Sequence, residues 1–149
     1  MNTVKILFVC VHNSARSQMA EAFLNKYGKG IFVAESAGLE PGNLNPIVVE
    51  AMKEVGIDIS GKKTNSVFEF FKQGRRYNYV ITVCDESNSE RCPIFPGALK
   101  TIHWNFTDPS ALTGDHDTKL AGTRRVRDEI EKQVRGWLQE SENVEPVRR

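Results

Sequence analysis

Cys10, five intervening residues, then Arg16 and Ser17 form the spacing in this chain best suited to chemistry on an anion. A thiolate is a nucleophile, and a guanidinium can bind a tetrahedral oxyanion through two parallel hydrogen bonds. The elements that must position them are legible on either side. Val4 to Val9 is a short apolar run, mostly β-branched or aromatic, and predicts a buried strand. Gln18 to Asn25 has a helical pattern with Met19, Ala22 and Phe23 on one face. A loop feeding a helix N-terminus aims several backbone N–H groups at one place, and the helix dipole adds positive potential. Val11, His12, Asn13, Ser14 and Ala15, with Arg16 and Ser17, are therefore expected to form an oxyanion pocket with Cys10 beneath it. The same field is expected to favour the thiolate. A lone cysteine ending an apolar strand is more often a small core residue. The arginine, Ser17 and the strand–loop–helix setting favour the nucleophile.

The remaining elements alternate. Ile31 to Ser36 predicts a second strand, and Ala37 to Asn43 a loop rich in turn formers. Asn45-Pro46 opens a helix with a cap and a first-turn proline; Ile47, Val48, Ala51, Met52 and Val55 follow its period and Gly56 ends it. A short helix is expected around Val67 to Lys72, and strands over Tyr77 to Val83 and Lys100 to Trp104. A last helix runs from about Thr118 to Glu140, packing through Val126, Ile130, Val134, Trp137 and Leu138. This order implies an α/β fold, a parallel sheet with helices on both faces. Cys10 and Cys84 then share the carboxyl edge of the sheet, where ligands bind in such folds.

A chain of 149 residues suits one domain, expected over 1–140 with a disordered tail over 141–149. A net charge of +1 gives no case for a nucleic-acid or membrane surface. No apolar run approaches a membrane span and no secretory signal opens the chain, so the expected location is the cytoplasm. Three cysteines fit poorly with a static disulfide framework.

Asp108-Pro109 follows the fourth strand. Such a pair is usually a turn, but at the edge shared with Cys10 its carboxyl is placed to protonate a leaving oxygen. Cys84 reads either as a buried strand end or as a second reactive thiol. Cys92, before Pro93 in a polar stretch, is less suited to a core. Zinc is disfavoured: seven residues between Cys84 and Cys92 exceed the usual ligand spacing, and His12, His103 and His116 are scattered.

The Cys10 loop resembles the phosphate-binding loop of the low-molecular-weight tyrosine phosphatases and of the thioredoxin-coupled arsenate reductases that share their fold. The likeness to the reductases extends through Glu35-Ser36-Ala37-Gly38, Asn45-Pro46, Ile57-Asp58-Ile59-Ser60, His103-Trp104, Asp108-Pro109 and Arg125-Val126-Arg127-Asp128. It implies a four-stranded parallel sheet flanked by helices, Asp108 as general acid, and Ser17 steadying the thiolate. It also implies a relay in which Cys10 attacks arsenic, Cys84 attacks Cys10, and Cys92 attacks Cys84 for reduction by thioredoxin. Asn13 matches a residue that braces the loop, in some members through a potassium ion also touched by residues matching Glu21 and Ser36. No other cofactor is implied, and the protein is expected to be a monomer taking arsenate, phosphate or sulfate in its loop.

The chain departs from the pattern in places. Ala15 stands where many relatives have a second loop cysteine, and Asn65 or Ser66 where some carry an aspartate of the potassium site. Ser110 follows Asp108-Pro109 where phosphatases place a tyrosine. The leading expectation is an arsenate reductase. Two alternatives remain: a tyrosine or small phosphomonoester phosphatase using Cys10, Arg16 and Asp108 alone, and a non-catalytic anion-binding module.

Overall fold

In a computed structural model, residues 3–84 and 98–143 are described, Cys84 and 141–143 by backbone alone. The strands are β1 (Val4–Cys10), β2 (Phe32–Gly38), β3 (Tyr77–Cys84) and β4 (Ala98–Asn105). The helices are α1 (Arg16–Tyr27), α2 (Pro46–Lys53), α3 (Val67–Lys72) and α4 (His116–Asn143), with a 3-10 turn over Pro109–Ala111. All four strands pair in parallel in the order β2-β1-β3-β4. The chain therefore moves outward from β1 to β2, then crosses back to β3. That reversal opens a crevice at the carboxyl ends of β1 and β3. Cys10 is the last residue of β1 and Cys84 the last of β3.

β1 is buried on both faces, which is why it reads as one apolar run rather than an alternation. Ile6 and Phe8 join Met19, Phe23, Met52, Val126, Ile130 and Val134 beneath α1, α2 and α4. Leu7 and Val9 pack on the opposite face with Val67 and Phe70 of α3, Tyr77 and Val80. The sheet is thus covered on both sides, as the element order implies.

The boundaries differ from expectation where tertiary contacts decide them. β2 continues through Ala37 and Gly38, read as loop in the sequence, because both pair with Val9 and Cys10. Gly38 also donates its N–H to the Asn65 carbonyl at 2.8 Å. A Cβ at Gly38 would lie 2.7 Å from the Val11 oxygen and 2.9 Å from the Asn13 nitrogen, so glycine here marks close backbone approach. α2 is capped by Asn45, whose side chain accepts from the N–H groups of Ile47 and Val48. It ends at Lys53, sooner than expected, in tight turns that reach Gly56 with φ 83°. α4 starts earlier than expected because the Asp115 carboxylate accepts the Thr118 N–H at 2.8 Å. The helix continues past Glu140; residues 144–149 of the expected tail lie outside the described residues. Among the described residues, no helix is long and apolar enough to cross a membrane.

Candidate active site

Every loop carbonyl from Cys10 to Ala15 faces outward to a donor. Leu39, Glu40, Gly42 and Asn45 give their N–H groups to the oxygens of Cys10, Val11, His12 and Ser14. Gln18 Nε2 donates to the Asn13 oxygen and Met19 N to that of Ala15. In a planar peptide the carbonyl and the next N–H point in opposite directions. The N–H groups of the loop therefore turn inward, toward the Cys10 sulfur, and Asn13 N donates to Sγ at 3.1 Å. Asn13 adopts φ 57°, the left-handed conformation that lets the chain curl this tightly. α1 begins at Arg16, and Ala15 before it supplies no side-chain cap, leaving the first N–H groups of the helix to the same concave space.

Cys10 is a free thiol, only 2% exposed. Its Sγ lies 2.9 Å from Ser17 Oγ, and Asn13 Nδ2 donates to that hydroxyl at 2.7 Å. Ser17 can thus turn its own proton to the sulfur. Burial nevertheless outweighs these donors and pushes the Cys10 thiol up; the Ser17 hydroxyl, the Arg16 charge and the Asn13 and Ser17 N–H groups pull it back. The donors expected to favour the thiolate are thus in place around Sγ, and burial opposes them. Removing a charge from water dominates at a sulfur this deeply enclosed.

Arg16, also 2% exposed, donates through Nη1 to the Phe106 carbonyl at 3.2 Å. Its Nη2 lies 3.4 Å from Asp108 Oδ2. Asp108 Oδ1 accepts from Ser110 N at 3.0 Å, which fixes the carboxyl at the start of the 3-10 turn. The fold therefore brings Cys10, Arg16, Ser17 and Asp108 together from both ends of the chain. His12 is exposed at the rim, its Nδ1 2.9 Å from the Glu40 carbonyl. Cys84 closes β3 beside β1; adjacent strands lie about 4.8 Å apart. Cys92 lies outside the described residues.

Several supporting residues carry no chemical signal in the sequence. Gln18 Nε2 reaches the Asn13 oxygen, Asn13 Oδ1 and the Lys63 carbonyl at 3.1, 3.2 and 3.1 Å. Asn65 N donates to Asn13 Oδ1 at 2.8 Å. Asn45 gives its N–H to the Ser14 carbonyl and its Nδ2 to Ser110 Oγ at 3.0 Å, joining the loop to the Asp108 turn. One turn below Ser17 on α1, Glu21 accepts from Ser36 Oγ at 2.5 Å and from the Lys62 ammonium.

A family model described as low molecular weight phosphotyrosine protein phosphatase matches residues 5–146. An arsenate reductase of Halalkalibacterium halodurans is 40% identical over 139 residues, covering 93% of this chain and 98% of its own. One from Bacillus subtilis is 41% identical over 125 residues, covering 84% and 88%. A solved structure described as an arsenate reductase in the phosphate binding state matches with a TM-score of 0.77 at 30% identity, covering 93% of this chain and 98% of that one. The structure of a thioredoxin-dependent arsenate reductase from Corynebacterium glutamicum matches with a TM-score of 0.66 at 26% identity, over 93% of this chain and 61% of that one.

Proposed function

This chain belongs to the low molecular weight phosphotyrosine protein phosphatase family, and within it we propose that it is an arsenate reductase working through Cys10, Cys84 and Cys92. The observation that carries the reading is the position of a second cysteine. Cys84 ends the strand adjacent to β1, at the edge where the loop surrounds Cys10. Hydrolysis of a phosphate ester needs one thiolate, because water discharges the covalent intermediate. Reduction of arsenate needs two electrons, and thiols supply them.

The inward N–H groups and Arg16 hold the oxyanion over Cys10. Attack by Sγ forms an As–S bond, and an oxygen leaves as water with a proton from Asp108. Cys84, as thiolate, then attacks Cys10 Sγ. An S–S bond forms, the As–S bond breaks, and its electron pair stays on arsenic, which leaves as arsenite. Cys92 attacks Cys84, freeing Cys10 and leaving a Cys84–Cys92 disulfide for an external dithiol to reduce. Thioredoxin is the proposed dithiol, in line with the thioredoxin-dependent relative from Corynebacterium glutamicum. The relay needs a compartment that keeps thiols reduced, so the reading includes a cytoplasmic location.

Single-turnover stoichiometry tests the relay. The reduced enzyme, given arsenate and no external reductant, is expected to release one arsenite per chain and retain one disulfide. Cys92→Ser should also release one, with the disulfide between Cys10 and Cys84. Arsenite from Cys84→Ser at the wild-type yield would sink the scheme. Hydrolysis of an aryl phosphate without any arsenite would move the protein to the phosphatases.

A further inference from the structure

Glu21 is a buried acid that the proposed chemistry does not use. Its side chain is 5% exposed, while that of Lys62 beside it is 44% exposed, with its ammonium on Glu21 Oε2. Such a carboxylate needs a counter-charge inside the fold. Asn13, Glu21 and Ser36 are the residues expected to hold potassium, and their bonding does not fit that ion. Asn13 Oδ1 accepts from Asn65 N and Gln18 Nε2, Ser36 Oγ donates to Glu21 Oε1, and Glu21 Oε2 carries the ammonium. The Asn13 and Glu21 oxygens that would face a metal ion already face donors, and the Ser36 hydroxyl turns its proton to Glu21.

We infer that Lys62 is the built-in counter-cation of Glu21, a positioning residue that keeps the oxyanion loop in its binding shape without potassium. Two links run from this pair to Cys10. Along α1, Glu21 lies one turn from Ser17, roughly 5–6 Å between Cβ atoms, and Ser17 touches the sulfur. Across the fold, Lys62 leads directly into Lys63 and Asn65, which accept from Gln18 and donate to Asn13. Asn65 Nδ2 also donates to the Ser36 carbonyl at 3.0 Å. The ammonium therefore fixes the segment that braces Asn13 and cancels a negative charge that would otherwise lie beneath a bound dianion.

The inference rests on the proposed function only in taking the Cys10 loop as an oxyanion site, so inorganic phosphate serves as the probe and no turnover is required. In wild type, replacing potassium chloride by tetramethylammonium chloride at constant ionic strength should leave phosphate affinity unchanged. Lys62→Met should weaken it about tenfold, the scale of one uncompensated charge near a dianion. The double variant Glu21→Gln/Lys62→Met buries no unpaired charge and should recover most of that loss, which a purely mechanical tether would not allow. Potassium-dependent affinity in wild type would overturn the inference. So would wild-type affinity in Lys62→Met, or a double variant as weak as the single one. The wild-type comparison and the double variant keep the test available even where Lys62→Met folds poorly.

Discussion

At Cys10 two opposed effects meet on one atom. Burial favours the neutral thiol, while Ser17, Arg16 and the loop N–H groups favour the thiolate. Because the thiol is pushed up, the folded chain binds this proton where the unfolded chain has released it. Its contribution to stability is therefore complete below the unfolded thiol's range and is lost as pH rises toward the folded value. Iodoacetamide modification of Cys10, followed against pH, should begin above the range of an ordinary cysteine. Ser17→Ala removes the strongest opposing donor and should move that onset higher still; an unchanged or lower onset would contradict the geometry at Sγ. Arg16 acts by shape as well as charge. Arg16→Lys keeps the charge and loses the fork, and should lower kcat/KM for arsenate about ten- to hundredfold. Steady-state kinetics at fixed pH would measure it.

Among the elements, α2 does more than pack. Its cap Asn45 closes the helix start, donates to the Ser14 carbonyl of the loop, and reaches Ser110 beside Asp108. Asn45→Ala is expected to cost about 1 kcal/mol of stability as a lost cap. It should also lower kcat more than arsenate binding, since the freed turn carries the acid; urea unfolding and kinetics together separate these effects. The cap itself was legible, because asparagine before proline is a local signal. Its second role was not, because Ser110 lies far along the chain. The same division runs through the site. Cys10, Arg16, Ser17 and Asp108 declare themselves by residue type and by their places after strands. Gln18, Lys62 and Asn65 reach partners on segments that only the crossover from β2 to β3 brings near, so spacing cannot reveal them. Gly38 was read as a turn former, whereas the close approach of Val11 and Asn13 sets its identity.

The whole molecule is tied at its far end by α2 and α4. Arg124 forks onto Glu54, and Arg127 donates to Glu54 and to the Ala51 carbonyl. These donors hold the Glu54 carboxyl at about 2 against its ordinary 4.5. A lowered carboxylate stabilises the fold above its unfolded value and loses that contribution as pH falls toward the folded one. Wild type should therefore be more stable than Glu54→Gln near neutrality, with the gap closing between about pH 4.5 and 2 in acid-unfolding curves. Deeper in, Ile130→Ala opens a void beneath the sheet and should cost about 2–5 kcal/mol, read as a lower urea midpoint. The scaffold serves one edge, and the central claim is that two thiols there reduce what Arg16 holds. Arsenate-dependent oxidation of NADPH, coupled through thioredoxin and thioredoxin reductase, tests this directly when wild type and Cys84→Ser are run together. Sustained oxidation in wild type and none in Cys84→Ser is the expected result. Equal rates in the two, or no arsenate-dependent oxidation in wild type beside intact aryl phosphate hydrolysis, would contradict it.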